Sequence, residues 1–566
     1  MRLRAASLTF AAAGGAFLAG AAWVHVFHHL PGGDYWEHAA AVRAWSQALL
    51  DPANPQLLTP EASPRYTPLI FPIAAGKALL GWSVDTAMAV MALFNAILLL
   101  AGVCTFARTH FRTRWAPAAL LAVMLGAWGG DPWVWSGVYA APSLVYVLPY
   151  ASTGALGAAL LTLAALVRVL RTLAPPIPAL AGLALAAAVT ISAHLLTGAF
   201  LLGAAALFIV FDRRAAPRMK AACAAAAAAG FLLALAWPYY DLLGVITQRR
   251  TDSVWFLQPQ IRAAPPSASP FYEIEGLFAA AGAAGLGLGS AIWFAVRRRV
   301  RLYLAGVVLF SLPYLANLIW MIPLGHRFIV YAVFFMHLAL LHHALLLLAH
   351  GRRARLHTPA PVKLGAGLGA LVLLAAAAAG LGRAADRLPD RPGPPVWSDR
   401  SGFETSNVAY MAARLGPDAV VAGEARRTWR LGAHGAAALS LLNPNPLVAD
   451  LPVRSAANTL LMLPDTDPGL RDAVIARYAV THVLLHDRFL EPYGDLDAHE
   501  AWLGEPLAVR GPLRLYAAPR TGPGAADGQP DEAFERRVRC ALVETVRARL
   551  QAQGETPRGR GAPEAC

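Results

Sequence analysis

The first stretch whose residues could carry out chemistry lies near the start of the chain and reads HHLPGGDYWEHAAAVRAW. Asp34, Glu37 and His38 follow a Gly-Gly pair there, and their spacing predicts that they share one face of a helix beginning near Asp34. A carboxylate in this position could serve as a general base that removes the proton of a hydroxyl group. The alternative is capping, in which Asp34 stabilises the first helical turn and Glu37 completes a capping box.

Two cationic candidates stand much later in the chain, in MIPLGHRFIVY. His326 and Arg327 lie there at the predicted start of a helix. Helix N-termini attract anions, and the planar guanidinium group of an arginine matches the oxygens of a phosphate. Arg327, with His326 beside it, is therefore the strongest candidate for binding a phosphate. The alternative is that Arg327 extends toward lipid headgroups.

Two further polar residues occur in short turns between apolar stretches. His194, in ISAHLLTG, is predicted at a helix junction, where it could contact a phosphate or an acceptor, or could be a structural hydrogen-bonding residue. Asp131, in GGDPWVWSGVYAAP, could bind a substrate or a cation, or could form the turn before Pro132. Both alternatives stay open for each residue.

An aromatic stretch, WPYYDLLGVITQRRTDSVWF, contributes Tyr240. Its rings could line a groove for a sugar or a prenyl chain, or they could form the aromatic belt found at membrane surfaces. Arg262 follows as a candidate contact for an anion, with Arg249 and Arg250 nearby.

The composition of the chain indicates that these residues belong to a membrane protein. Hydrophobic residues make up 57% of the 566 residues and charged residues only 14%, with a mean hydropathy of +0.47. A net charge of +14 would suggest nucleic acid as a partner in a soluble protein. Here the basic residues form short clusters between apolar stretches, as the cytoplasmic anchors of membrane helices do. We therefore expect contact with membrane lipids and no nucleic-acid partner.

The apolar stretches predict a polytopic α-helical membrane protein with about eleven transmembrane helices of ~20 residues each. All basic clusters lie on one side if the N-terminus is cytoplasmic, and the C-terminal region is then periplasmic, in a bacterial inner membrane. The apolar segment at 67–82 is short and carries two prolines and Lys77, so it is expected to lie along the outer surface. The predicted spans are 5–26, 83–107, 116–131, 145–167, 176–192, 195–211, 221–238, 276–296, 302–320, 327–349 and 361–381.

The sequence becomes polar after residue 382, which separates a transmembrane domain at 1–382 from a C-terminal periplasmic α/β domain at 383–520. In that domain SNVAYMAARL and RDAVIARYAV are predicted as helices, AVVAG and THVLLHD as strands, and PLRLYAAP as an edge strand. Residues 521–566 are expected to form a flexible linker and a C-terminal helix.

Several functional classes lack their motifs in this sequence. It has no Walker A loop, no dinucleotide-binding glycine fingerprint, no HExxH protease motif and no zinc-type spacing of cysteine and histidine. A lipid flippase or transporter would place ionisable groups near the middle of its spans, often in paired repeats. The predicted spans are almost free of charge, but this class is kept as an alternative.

The acidic residue in the first outer loop, in a D-x-x-x-H-like pattern before an amphipathic helix, resembles the GT-C superfamily of membrane glycosyltransferases. The segment RYTPLIFPIAAGKALLGW and the outer domain after the last helix are similar to the same superfamily. The resemblance implies inverting transfer of a sugar from a polyprenyl-phosphate donor to a hydroxyl of a lipid, glycan or protein acceptor, with Asp34 as the base. It implies substrate binding by Glu37, His38, Tyr66, Asp131, His194, Tyr240, Arg262, His326 and Arg327.

The resemblance leaves the need for a metal ion open. Oligosaccharyltransferases of this superfamily carry an acidic pair in the second outer loop that helps bind a divalent cation, whereas this chain has Asp131 alone there. The resemblance thus allows a divalent cation without establishing that a cofactor is required. An O-antigen ligase or polymerase, which would use arginine and histidine without a carboxylate base, is a second enzymatic alternative.

Overall fold

The computed structural model describes most of the chain, but two predicted site residues, Asp131 and Arg262, lie outside the described residues. The chain forms a bundle of apolar helices followed by a smaller domain built on a β-sheet. The described residues are 2–28, 33–130, 132–133, 135–174, 176–247, 277, 280–297, 300–320, 324–353, 375, 378–388, 391–443, 445–489, 495–519 and 532–552.

Apolar helices occupy the first part of the chain, and the predicted helical membrane-protein fold is confirmed. Among the described residues, five helices are long and apolar enough to cross a membrane, and shorter apolar helices lie at most of the other predicted spans. The span at 361–381 falls largely outside the described residues, so the number of eleven stays a prediction. The helices are α1 Arg2–Phe27, α2 Tyr35–Gln47, α3 Phe71–Leu80, α4 Val84–Phe111, α5 Ala116–Gly126, α6 Ala141–Val147, α7 Ala151–Val169, α8 Ile177–Ala193, α9 Leu195–Phe211, α10 Pro217–Leu235, α11 Leu242–Thr247, α12 Gly285–Val296, α13 Leu302–Trp320 and α14 Ile329–Arg353.

The predicted span at 145–167 is wrong as a single helix, because the chain breaks between α6 and α7. Pro149 lies at the break, and a proline has no N–H group with which to continue a helix. Asn95, buried in α4, donates hydrogen bonds of 2.9 and 3.0 Å to the carbonyl groups of Leu148 and Tyr150. The break thereby fixes Tyr150 at the start of α7, next to the N-terminus of α2.

Helices α4 and α7 cross at a pair of glycines. A side chain at Gly157 would meet the backbone of Leu98 at 2.6 Å, and one at Gly102 would meet the backbone of Gly157. Small residues at a crossing let the backbones of membrane helices approach closely. Asn95 lies about one turn from this crossing, so the same contact also supports the break before α7.

Two of the basic clusters, those that contain Arg171 and Arg218, lie together at one end of the bundle. Arg171 lies 3.5 Å from the carboxylate of Asp212 and donates to the carbonyl of Thr109, while Arg218 donates to a carbonyl in the loop between α7 and α8. Helix α8 starts from this loop and ends at His194. Its 17 residues rise about 1.5 Å each, which separates its two ends by about 25 Å. His194 therefore lies at the end of the bundle opposite the basic clusters.

The second part of the chain contains a five-stranded sheet in the order β2-β1-β3-β5-β4, which confirms the predicted α/β domain. Strand β1 pairs in parallel with β2 and β3, and β5 pairs antiparallel with β3 and β4. We call this part the sheet domain. Its elements are α15 Asn407–Ala412, β1 Val420–Gly423, α16 Ala425–Thr428, α17 Leu431–His434, β2 Ala437–Ala438, α18 Leu451–Leu461, α19 Pro468–Arg477, β3 Val480–His486, α20 Leu496–Leu503, β4 Ala508–Arg510, β5 Leu513–Ala517 and α21 Glu532–Ala552.

The prediction of an edge strand at PLRLYAAP is wrong. These residues form β5, which is covered on both sides, and the edge is taken by the short β4. Gly511 has a φ of +55° in the turn that joins the two strands. Only three residues of β4 pair, so the sequence before the turn gives little strand signal.

Side chains of β3 alternate between two layers of the sheet domain. Val483 and Leu485 pack in a core that includes Phe534 of α21, whereas Leu484 packs with Val421 on the other face. The C-terminal helix predicted from EAFERRVRCALVETVRARL is therefore present and covers one face of the sheet.

Candidate active site

Asp34 stands at the N-terminus of α2, directly after Gly33, whose φ of +43° turns the chain into the helix. Its carboxylate makes no capping hydrogen bond, contrary to the alternative considered from the sequence. Instead Oδ2 lies 3.4 Å from Nη2 of Arg65, and Oδ1 accepts a 3.3 Å hydrogen bond from Nδ2 of Asn443. The side chain is 23% exposed, so a substrate can reach it.

Glu37 lies one turn further along α2 and is held by the same two residues. Arg65 forms an ion pair with Oε2, and Nδ2 of Asn443 donates a 2.6 Å hydrogen bond to Oε1. Its side chain is only 4% exposed. A buried carboxylate is tolerated when it is paired and hydrogen-bonded, and here one arginine and one amide satisfy two acids. Glu37 thus fixes the position of Arg65, while Asp34 is the more accessible acid.

The two carboxyl groups titrate differently. Burial favours the neutral form of Asp34, but the charges of Arg65 and Arg327 outweigh it, and the pKa of Asp34 lies below its ordinary value. Burial and the charge of Asp34 raise the pKa of Glu37 above its ordinary value, although Arg65 opposes the shift. Asp34 is therefore ionised at neutral pH.

Contacts behind α2 hold its first turn in place. The hydroxyl of Tyr35 donates a 2.9 Å hydrogen bond to Asp85 in α4, and the backbone N–H of Tyr35 donates to the hydroxyl of Tyr150 over 3.1 Å. The ring of His38 lies against the ring of Tyr150, with 5.0 Å between centroids. The break before α7 thereby positions α2 through Tyr150.

His38 is buried at 3% exposure, and neither of its ring nitrogens has a hydrogen-bond partner. Burial, helped by the charge of Arg65, lowers the pKa of His38 to about 3. The ring is therefore neutral at physiological pH.

His194 joins α8 to α9 and caps the second helix. Its Nδ1 accepts a hydrogen bond from the backbone N–H of Thr197 at 3.3 Å, so the proton of the neutral ring is on Nε2. Nε2 lies 3.4 Å from the hydroxyl of Ser136. Burial and the charge of Arg327 lower the pKa of His194 to about 3. His194 therefore has the structural hydrogen-bonding role considered from the sequence, but its Nε2 atom still faces the site.

Arg327 lies in a turn of 3₁₀-helix, Gly325–Phe328, directly before α14. The hydroxyl of Tyr331, in the first turn of α14, lies 3.0 Å from Oγ1 of Thr197, so Arg327 lies on the same side of the bundle as His194. The charge of Arg327 lowers the pKa of both Asp34 and His194. His326 packs edge-on against the ring of Trp135, with 5.6 Å between centroids. The predicted phosphate-binding role of this pair stays a prediction.

The two tyrosines of the predicted site use their hydroxyl groups for backbone contacts. Tyr66 donates to the carbonyl of Ala53, and Tyr240 donates to the carbonyl of Ser192 over 2.5 Å. Both side chains are buried. Tyr240 nevertheless lines a cavity that is also lined by His38, Arg65 and His194, whereas Tyr66 does not line it.

The structure thus brings Asp34, Glu37, His38, His194 and Arg327 together at one end of the bundle. Arg65 and Asn443, which contact both carboxylates of this cluster, were not identified from the sequence. Arg65 carried a usable signal, because it is a basic residue in a loop predicted to be on the outer side, where basic residues are rare. Asn443 carried none, because an asparagine in a loop more than four hundred positions away has no local pattern that indicates its partner.

A divalent cation has no ready-made ligand set among the described residues. No group of three or more His, Cys, Asp or Glu side chains occurs there with metal-binding geometry. The carboxylates of Asp34 and Glu37 already share Arg65 and Asn443, while Asp131 is outside the described residues. The need for a divalent cation therefore stays untested.

The chain matches no protein-family model and no curated protein sequence. Its fold does match solved structures. An arabinofuranosyltransferase, AftD from Mycobacteria, is 16% identical with a TM-score of 0.52 over 90% of this chain, which spans 40% of that protein. An oligosaccharyltransferase from Archaeoglobus fulgidus is 12% identical with a TM-score of 0.50 over 90% of this chain and 74% of its own.

A third solved structure, ArnT from Cupriavidus metallidurans, is 15% identical with a TM-score of 0.49 and covers 91% of this chain and 99% of its own. At these identities the likeness concerns the fold. The AftD and oligosaccharyltransferase comparisons confirm the predicted GT-C-like fold.

Proposed function

We propose that the protein is a membrane glycosyltransferase that moves a sugar from a polyprenyl-phosphate donor to an acceptor hydroxyl. The observation that carries the proposal is an accessible, ionised Asp34, paired with Arg65, at the end of a GT-C-like bundle where the charge of Arg327 also lowers its pKa. Such a site offers a proton acceptor to the acceptor hydroxyl and an anion-binding group to the phosphate of the donor. These are the two functions that sugar transfer from a phosphate carrier needs.

In the proposed reaction Asp34 accepts a hydrogen bond from the acceptor hydroxyl and takes its proton as the oxygen attacks the anomeric carbon. The bond between the anomeric carbon and the phosphate oxygen breaks, and the polyprenyl phosphate leaves with the electron pair. Arg327, with His194 or His326 nearby, stabilises the negative charge that develops on this phosphate. Attack from the face opposite the phosphate inverts the anomeric centre.

The remaining members of the cluster position these groups. Arg65 and Asn443 offset the electrostatic repulsion between the carboxylates of Asp34 and Glu37, and they orient the carboxylate of Asp34 toward the site. Asn443 belongs to the sheet domain, so an acceptor would bind between that domain and the bundle. The acceptor is a hydroxyl of a lipid, glycan or protein.

The sidedness that we propose is a cytoplasmic N-terminus and a periplasmic site in a bacterial inner membrane. It is supported by the separation of the basic clusters from the candidate site along the length of α8. A phosphatase reporter fused after the sheet domain should be active in the periplasm, whereas activity of a cytoplasmic reporter at the same position would contradict this arrangement.

Consumption of the donor tests the function directly. Purified protein in lipid nanodiscs should convert undecaprenyl-phosphate-linked sugar into free undecaprenyl phosphate and a glycosylated product when an envelope extract supplies the acceptor. A flippase would redistribute the lipid-linked sugar between the leaflets of a proteoliposome without consuming it. Redistribution without release of undecaprenyl phosphate would therefore contradict the transferase and favour the alternative.

A further inference from the structure

A cavity of about 140 Å³ lies next to the carboxylates of the candidate site, between α2, the start of α7 and the junction of α8 with α9. Arg65 and His38 belong to both features, because they line the cavity and interact with Asp34. A molecule in the cavity would therefore be separated from the proposed base, Asp34, by no more than one side chain. The remaining polar lining consists of Thr67, Ser136, Ser152, His194 and Tyr240.

Four buried polar atoms of this lining have no hydrogen-bond partner. They are both ring nitrogens of His38, Oγ1 of Thr67 and Oγ of Ser152, on residues that are 3%, 3% and 1% exposed. A buried polar group without a partner is costly, and native proteins keep few of them. Four such atoms around one cavity indicate that a bound polar molecule completes their hydrogen bonds.

The charge of the lining limits which molecule this is. Arg65 is the only charged residue among the described residues of the lining, and its guanidinium group is already paired with Asp34 and Glu37. A phosphate or a carboxylate would find no unpaired cation there. An ammonium group would find no carboxylate, since neither acid lines the cavity. The cavity therefore favours a neutral ligand.

The types of the lining groups define the chemistry of that ligand. Serine and threonine hydroxyls and neutral imidazoles can each donate and accept hydrogen bonds, as the hydroxyls of a sugar do. His38 is neutral because its pKa is lowered to about 3. Leu195, Leu242 and Val245 give the cavity an apolar side against which the C–H face of a sugar ring can pack.

We propose that this cavity is the pocket for the transferred sugar, and that it selects a neutral sugar with free hydroxyls over sugars that carry an ammonium or a carboxylate group. The proposal rests on the proposed transferase function and narrows its donor. Hydrogen bonds from His38, Thr67 and Ser152 hold the ring, and the anomeric carbon faces Asp34. Phosphate binding stays outside the pocket, with Arg327.

Binding measurements with three probes test this assignment. The probes are undecaprenyl phosphate without a sugar, the same carrier with a neutral pentose or hexose, and the carrier with an aminopentose. In the wild-type protein the neutral sugar should tighten binding of the carrier roughly tenfold or more, and the aminosugar should not. Equal or tighter binding of the aminosugar carrier would overturn the proposed selectivity.

Two variants locate the pocket. Ser152→Leu fills the cavity, and Thr67→Val removes one unpaired hydroxyl at similar volume. Both should reduce binding of the neutral-sugar carrier, by roughly tenfold for the first and severalfold for the second, with sugar-free carrier bound as by wild type within about twofold. Thr162→Val is the matched control, because its hydroxyl bonds only within its own helix, to the carbonyl of Ala158.

The possible failures can be told apart. If the two variants weaken the sugar-free carrier as much as the sugar-bearing one, the cavity binds phosphate and the sugar pocket is wrong. If they leave all probes unaffected in folded protein, the cavity holds water only and the assignment is also wrong. If the wild-type protein binds none of the carriers, the proposed function itself fails and the pocket falls with it.

Discussion

Asn443 of the sheet domain donates a 2.6 Å hydrogen bond to Glu37 of the helical bundle, although 406 positions separate the two residues in the chain. The same amide nitrogen reaches Asp34 at 3.3 Å. The sheet domain therefore contributes a side chain to the candidate site.

Replacing Asn443 should impair transfer without unfolding the protein. Asn443→Ala removes a hydrogen bond to a buried charged group, which is worth about 1.5–3 kcal/mol, and we expect a loss of transfer of about 10- to 100-fold. Initial rates in nanodiscs measure the effect. Asn445→Ala is the control, because Asn445 bonds the backbone of Ala62 at the same interface but does not contact either acid. Equal losses in both variants would indicate a general loss of docking instead.

Arg65 should set the pH below which transfer fails. It lowers the pKa of Asp34 in the folded protein, so its loss raises that pKa, and the base becomes protonated at a higher pH. Because Arg65→Met alone would leave the buried Glu37 without its ion pair, the comparison is made in a Glu37→Gln background.

The measurement is the rate of transfer as a function of pH. On acidification, the variant that combines Glu37→Gln with Arg65→Met should lose activity at a higher pH than the variant with Glu37→Gln alone. A third variant, Glu37→Gln with Arg65→Lys, keeps the positive charge and should stay close to the Glu37→Gln profile. Identical acidic limbs in all three variants would exclude Asp34 as the titrating group.

Asn95→Leu should destabilise the bundle at the break between α6 and α7. The change leaves the buried carbonyl of Leu148 without a donor, at a cost of about 1–3 kcal/mol, and removes one of the two donors to the carbonyl of Tyr150, which still accepts from the backbone N–H of Thr153. Thermal unfolding in detergent measures the shift. Thr162→Val, an equally apolar change in α7, should leave the midpoint almost unchanged, and a larger effect of Thr162→Val than of Asn95→Leu would contradict the role of the break.

The crossing of α4 and α7 should tolerate no methyl group at Gly157. The β-carbon of Gly157→Ala would lie 2.6 Å from the backbone of Leu98, and we expect destabilisation by about 1–3 kcal/mol. Gly15→Ala, in α1, meets no atom within 4 Å and should leave stability unchanged or slightly higher. Similar unfolding midpoints for both variants would show that the two helices are less closely packed than described.

Composition and charge were sufficient to predict the membrane fold, because long apolar stretches bounded by basic clusters are direct consequences of the bilayer. Local spacing also predicted that Asp34, Glu37 and His38 share a helix face. The sequence could not predict what those side chains contact. Asp34 could cap α2 by its position alone, and only the proximity of Arg65 and Asn443 explains why it does not.

The broken span shows a second limit. Hydropathy favours one helix across 145–167, but Pro149 and the amide of Asn95 make two helices more stable than one. The edge-strand prediction failed for a related reason, since the three-residue β4 that covers β5 is too short to produce a pattern. Contacts between distant segments decide both cases.

Asp34→Asn tests the central claim most directly. Asparagine keeps the size of the side chain and can still accept the hydrogen bond from Asn443, but it cannot take a proton from an acceptor hydroxyl. We expect transfer to fall by about 10²- to 10⁴-fold, with binding of undecaprenyl-phosphate-linked sugar unchanged within about threefold. Transfer at the wild-type rate by folded, membrane-inserted Asp34→Asn would contradict the assignment of Asp34 as the base.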